Sequence, residues 1–252
     1  MINIKSTDEI ALMAKAGEIV YNTHQVLKKN LVPGITTMEL DRLAEDYIKD
    51  MGASPAFKGY QGFPGSICTS INDEIVHGIP GAYSLKEGDI ISIDIGATYR
   101  GYYGDSAWTY EVGKVSEEKK ELLKHTEEAL YEGMKAVRPG NYIGDISKAV
   151  EAVAKKHQLG IVKELVGHGV GKKLHEDPEI PNYTNSHRGP KLKPGMTLAI
   201  EPMLNMGTAN IKLGKDGWTI KTEDNKPSAH FEHTVVVTED GYQILTKGGK
   251  NG

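Results

Sequence analysis

Cysteine is all but absent. Cys68 stands alone, so no intramolecular disulfide can form. That usage points to a reducing compartment. No apolar run approaches the roughly 20 residues that a membrane span needs. The start, MINIKSTDEIALMAKAGEIV, lacks the apolar core of a secretory signal. Positive charge is not in excess either. The net charge of −4 excludes a global field that gathers nucleic acid. Together these absences predict a soluble cytoplasmic protein whose partners include neither a membrane nor sequence-specific nucleic acid. What is present fits a folded domain. Apolar residues make up 38% and charged residues 25% of the 252 positions, which is neither disordered nor membrane-like. A chain of this length can bury one large core.

Ser6 and Glu9 form a capping-box pattern that opens a helix running toward Asn30, where Pro33-Gly34 ends it. Thr36 and Glu39 repeat the pattern ahead of a second helix to about Met51. Residues 53–88, rich in Gly, Pro and Ser, read as loops with short strands. Helical patterns return near 117–136 and 144–157. The second half echoes the first. LKEGDIISID (85–94) aligns with LKPGMTLAIE (192–201) at an offset of 107. VPGITTMELDRLAE (32–45) aligns more loosely with RPGNYIGDISKAVE (138–151) at an offset of 106. Two matches at nearly one offset suggest an internal duplication. The expectation is one domain over 1–252, with pseudo-symmetric halves of roughly 1–114 and 115–252. The fold class is α+β: each half holds two helices and antiparallel strands, and the duplication brings Asp94 and Glu201 to equivalent places.

The segment IISIDIGATYRGYYGD (90–105) reads as a buried hairpin turning at Tyr99-Arg100. That register sets Asp94 directly opposite Asp105. Two facing buried carboxylates are unfavourable unless one keeps its proton or a cation lies between them. Other such residues follow: Glu201 at the end of TLAIE, Glu232 in SAHFEHTVVVT, His168 and His175 in VGHGVGKKLHEDP, and His77 in NDEIVHGIP. Charge counting selects a cofactor. Asp94, Asp105, Glu201 and Glu232 carry four negative charges, His168 offers a neutral nitrogen, and two divalent cations neutralise the set. Oxygen-rich ligation with one imidazole suits Mn, Fe or Co and admits Zn. The glycines around His168 read G-x-G-x-G rather than a dinucleotide loop, and are better explained by close backbone approach at a crowded site. Cys68 has no base placed beside it, so packing or pocket lining is its expected role.

In order and spacing, the motifs INDEIVHGIP, SIDIGATYRGYYGD, GHGVGKKLHEDP, AIEPM and FEHTVVVT resemble the type I methionine aminopeptidases over essentially the whole chain. The resemblance implies the pita-bread fold with an internal pseudo-twofold, an antiparallel sheet covered by helices. It implies two divalent metals on Asp94, Asp105, His168, Glu201 and Glu232. His77 and His175 match the family's other active-site histidines. Glu201 would double as general base. Phe57, Tyr60, Phe63, Cys68 and Trp218 match the family's methionine pocket, and for Tyr60 and Trp218, which lie in Gly-rich loops, pocket lining is favoured over ordinary core packing. Leu174 stands where some relatives carry an aromatic residue. Asn72 and Ser228 match positions near a monovalent-cation site. The substrate implied is the N-terminal Met of nascent chains with a small second residue, met transiently at the ribosome. A monomer is the default. The absence of a long insertion fits type I, and the absence of an N-terminal extension favours a bacterial form. Two alternatives stay open: a proline-directed aminopeptidase of the same fold, and a pita-bread module that binds peptides without catalysis.

Overall fold

A computed structural model gives the fold, and residues 2–248 are described. Among the described residues four α-helices form, α1 (Thr7–Asn30) and α2 (Thr37–Asp50) where the capping signals place them, and α3 (Glu117–Lys135) and α4 (Ile143–Lys156) where the helical patterns return. Ser6 Oγ accepts the Glu9 N–H, and the Ser6 N–H donates to the Glu9 carboxylate at 2.9 Å. Thr36 and Glu39 repeat the exchange. Each box satisfies backbone donors that the first helical turn cannot, worth about 1 kcal/mol. At α4 the Tyr142 N–H donates to Asp145, whose carboxylate Arg188 also clamps.

The strands Ile90–Tyr99 and Tyr102–Glu111 form the predicted hairpin, but in a different register. The turn is Arg100-Gly101, with φ of 48° and 82°. Those positive values mark the primed turn that suits the twist of a two-residue hairpin. Asp94 therefore pairs with Ala107, and Asp105 with Gly96. The two acids are diagonal neighbours rather than direct partners. The slip moves the pairing by two, so both remain on one face. Ile91, Ile93 and Ile95 bury the other face against Ile19, Leu27, Leu40 and Ile48 of α1 and α2. Each such side chain contributes roughly 1.5–3 kcal/mol.

The second half is built alike. Leu198, Ile200, Val235 and Val237 bury against α3 and α4. Their sheet has the order Tyr242–Ile244, His233–Val237, Thr197–Ile200, Gly167–Gly169, Glu176–Ile180. All strand pairs among the described residues are antiparallel. A turn hydrogen bond recurs at the sequence offsets. The Gly34 N–H donates to Leu85 O and the Gly140 N–H to Leu192 O.

Two threonines join the halves. Thr234 Oγ1 accepts the Asp105 N–H at 3.2 Å and donates to Asp105 O at 2.8 Å. Thr109 Oγ1 accepts the His230 N–H and donates to His230 O, both at 2.9 Å. The Glu232 N–H donates to Ala107 O at 2.8 Å. Backbone positions beside three carboxyl-bearing or imidazole-bearing residues are thus fixed by bonds between the halves.

Helix α1 lies close on this seam. A Cβ at Gly17 would stand 2.2 Å from Leu245 O. Gly17→Ala is expected to destabilise the protein by about 1–3 kcal/mol through overpacking. Denaturant unfolding checks this, and an unchanged midpoint would mean the backbones are not locked together.

Candidate active site

The inner faces of the two sheets enclose a cavity of about 210 Å³. Asp94 and Asp105 reach it from the hairpin, His168 from the strand Gly167–Gly169, and Glu201 and Glu232 from where the chain leaves and re-enters the second sheet. All five sequence-derived acid and imidazole positions are therefore together. So are His77 and His175, and the apolar set Phe57, Tyr60, Phe63, Cys68, Leu174 and Trp218. Asp105, His168 and Glu232 are buried, while Asp94 and Glu201 keep some surface open to the cavity. Asp94 and Asp105 line the same cavity despite the diagonal register.

The strand carrying His168 is squeezed between two neighbours, with His168 paired to Ala199 on one side and Glu179 on the other. A Cβ at Gly169 would stand 2.1 Å from Asp177 O, so the close-approach reading of this glycine holds. His168 Nδ1 donates to Gly169 O at 2.8 Å. That leaves the Nε2 lone pair directed at the cavity, 3.5 Å from Glu201 Oε1. A hydrogen bond of this kind on the far ring nitrogen commonly fixes the tautomer of a metal-binding imidazole.

His175 is aimed from outside. Tyr60 OH bonds its Nδ1 at 2.9 Å, and its ring lies 4.3 Å from that of His168. A phenol donating to Nδ1 places the ring proton on Nε2. His77 sits just beyond the strand Glu74–Val76 with φ of 60°, a left-handed conformation that a non-glycine residue adopts at a cost of about 1 kcal/mol or more. Phe63 and Trp218 meet edge to face, their centroids 5.2 Å apart, and close one side of the apolar pocket.

Electrostatics sharpens the picture. Burial raises the pKa of Asp94, Asp105, Glu201 and Glu232 alike. The Asp105 charge adds to the rise at Asp94, Glu201 and Glu232. Burial, then the neighbouring His175, lowers His168 to about 4. Burial, then the carboxylates of Asp94 and Asp105, pushes the Cys68 thiol well up, which suits lining and not nucleophilic attack. Oδ1 of Asp94, Oδ1 of Asp105 and Oε1 of Glu232 are buried with no hydrogen-bond partner. Each such orphan costs about 1–3 kcal/mol. Donor atoms of Asp105, His168 and Glu232 lie within 4.8 Å of one another. An oxygen-rich set with converging, unsatisfied donors and excess negative charge fits divalent cations.

A pH dependence follows. The raised carboxylate values give the cation-free protein stability that is complete below the unfolded value near 4 and is lost as pH rises through the folded values. A cation compensates the ionised form only. The gain in Tm on adding Mn²⁺ is therefore expected to be larger at pH 8.5 than at pH 6.5, by calorimetry. Equal gains would mean that no proton is displaced.

Sequence reasoning missed Gln61, Val76, Leu165, Val166, Met203 and His230 on the cavity wall. The apolar ones carry no chemical signature. His230 did have one, since it stands two residues before Glu232 in SAHFEHT.

The model of metallopeptidase family M24 matches residues 11–239. Methionine aminopeptidase 1 of Bacillus subtilis is 55% identical over 247 residues, covering 98% of this chain and 100% of that protein. The crystal structure of methionine aminopeptidase from Thermotoga maritima superposes with a TM-score of 0.96 at 45% identity, over 98% of this chain and 100% of its own. The prolidase of Pyrococcus horikoshii superposes with a TM-score of 0.80 at 25% identity, over 98% of this chain but 64% of its own.

Proposed function

The chain belongs to metallopeptidase family M24, and on that premise we propose how its site removes an N-terminal methionine. It is a metal-dependent hydrolase with the pita-bread fold, an aminopeptidase that releases the first residue of a peptide. The observation that carries the proposal is the convergence of four carboxylates and His168, with unsatisfied oxygens, beside an apolar pocket.

Asp94, Asp105, His168, Glu201 and Glu232 would hold two divalent cations, Mn, Fe, Co or Zn by the donor set. When bound, such ions lower the pKa of a water and polarise the scissile carbonyl. The chain's own residues do the rest. Phe57, Phe63, Cys68, Leu174 and Trp218 receive the methionine side chain, whose thioether packs well on aromatic edges. Asp94 takes the free amine of the substrate. Glu201 accepts the proton of the attacking water and passes it to the departing nitrogen. The His175 Nε2–H, fixed by Tyr60 on the far side of the ring, donates to the developing oxyanion. His77 hydrogen-bonds the amide that becomes the leaving group.

Four carboxylates and the imidazoles of His77, His168 and His175 crowd the space beside the apolar pocket, which supports a small second residue in the substrate. Holoenzyme should release methionine from Met-Ala-Ser much faster than from Met-Lys-Ser, and should leave Ala-Pro-Ala intact. Equal rates on the first two would remove the tight neighbour site. Cleavage of the third alone would favour the proline-directed alternative.

The finer setting is also proposed: a cytoplasmic monomer that meets nascent chains at the ribosome. Among the described residues no helix is long and apolar enough to cross a membrane. A monovalent cation beside Asn72 and Ser228 would share that place with Lys119, whose ammonium already rests on Asn72 Oδ1 at 2.9 Å and Gly88 O at 2.6 Å. The matching hydrogen bonds of Gly34 to Leu85 and Gly140 to Leu192 support residues 1–114 and 115–252 as two copies of one unit, although Met1 and 249–252 lie outside the described residues.

A further inference from the structure

His230 is 2% exposed, and its Nε2 is a fully buried polar atom with no hydrogen-bond partner. A buried imidazole nitrogen rarely goes unsatisfied in a native protein. It also lines the cavity. Its surroundings say what it faces. Glu201 Oε2 lies 3.6 Å away and Glu232 Oε2 4.0 Å away. Neither separation makes a hydrogen bond. Both resemble the 3.5 Å between His168 Nε2 and Glu201 Oε1. Glu201 thus stands between two imidazoles, one facing each carboxylate oxygen. The donor atoms of Glu201, His230 and Glu232 fall within 4.8 Å of one another.

The backbone holds this arrangement. His230 pairs with Met203 in one sheet, and His233 pairs with Ile200 in the next. Glu201 and Glu232 therefore flank the crossing between the two sheets, with His230 beside them. Thr109 Oγ1 bonds both the N–H and the carbonyl of His230, so the residue cannot slide along the strand without losing two bonds.

We infer that His230 Nε2 is a sixth protein donor to the metal centre, completing a Glu201–His230–Glu232 set opposite His168. The inference rests on reading the carboxylate cluster as that centre. Its consequence is metal selectivity. A second imidazole favours Co²⁺ and Zn²⁺ over Mn²⁺ more than an all-carboxylate wall would.

The test uses protein made with ring-¹⁵N histidine, stripped and reloaded with Co²⁺. The expected proton NMR spectrum has two ¹⁵N-attached imidazole resonances with the large contact shifts of a ring bonded to Co²⁺, one from His168 and one from His230, apart from the smaller through-space shifts of His77 and His175. In His230→Gln one of the two contact-shifted resonances disappears. By titration calorimetry the same variant binds Co²⁺ about 10–100-fold more weakly and Mn²⁺ with a clearly smaller loss. A single contact-shifted resonance in the wild-type protein, unaltered by the substitution, overturns the inference. So does an equal loss for both ions, which marks a hydrogen-bonding role on Glu201. If His230→Gln does not fold, the wild-type count of one or two decides alone. Protein that retains no Co²⁺ and shows no shifted resonance would instead sink the metal-centre reading itself.

Discussion

Glu201→Gln is expected to lower kcat for Met-Ala-Ser by about 10⁴-fold while making the cation-free protein more stable. The two effects share one cause. Glu201 is held among Asp105 and Glu232, and its pKa is raised first by burial and then by the Asp105 charge. Without cations, an ionised Glu201 opposes folding, and a neutral amide of the same shape does not. Tm of the stripped variant should therefore exceed that of stripped wild-type protein, increasingly so as pH rises above neutrality. The rate falls because the base is gone, a loss of 10²–10⁴-fold by itself. A weakened metal site adds to it. Calorimetry and steady-state kinetics on one preparation check both halves. A variant that loses activity and also loses apo stability would mean that Glu201 is a structural residue satisfied by the protein alone.

His175→Ala should behave differently. The loss of an oxyanion donor lowers kcat by roughly 10²–10³-fold. His175 is not among the five residues assigned to the cations, and its Nδ1 is taken by Tyr60. Affinity for Mn²⁺ should stay within a few-fold, and KM should change less than kcat. A comparable loss of metal affinity would place His175 on the ion, and full activity would remove it from the chemistry.

Much of this site could be read before the fold was known, and the reasons are local. Ser6 with Glu9 and Thr36 with Glu39 are signals complete within four residues, and both boxes form as read. Acids inside apolar strands, such as Asp94 among Ile91, Ile93 and Ile95, are conspicuous because burial makes them unfavourable without a partner. The hairpin register was not legible. Tyr99-Arg100 and Arg100-Gly101 are both workable turn dipeptides, and the choice depends on Arg100 taking a positive φ, which its residue type does not advertise. The error left Asp94 and Asp105 on one face because it changed the pairing by an even step. His230 escaped for another reason. A buried histidine is usually satisfied core, and only three-dimensional placement shows that its Nε2 has no partner. Longer-range facts, such as Thr109 and Thr234 joining the halves, depend on which sheets meet, and no local pattern carries that information.

The account centres on a carboxylate cluster that holds cations for peptide hydrolysis. The most direct test is release of methionine from Met-Ala-Ser by metal-stripped protein, before and after addition of Mn²⁺ or Co²⁺. The expected result is negligible release from the stripped protein and full recovery on adding either ion. Folded protein that releases no methionine with any divalent ion, or that releases it equally well without one, would contradict the account.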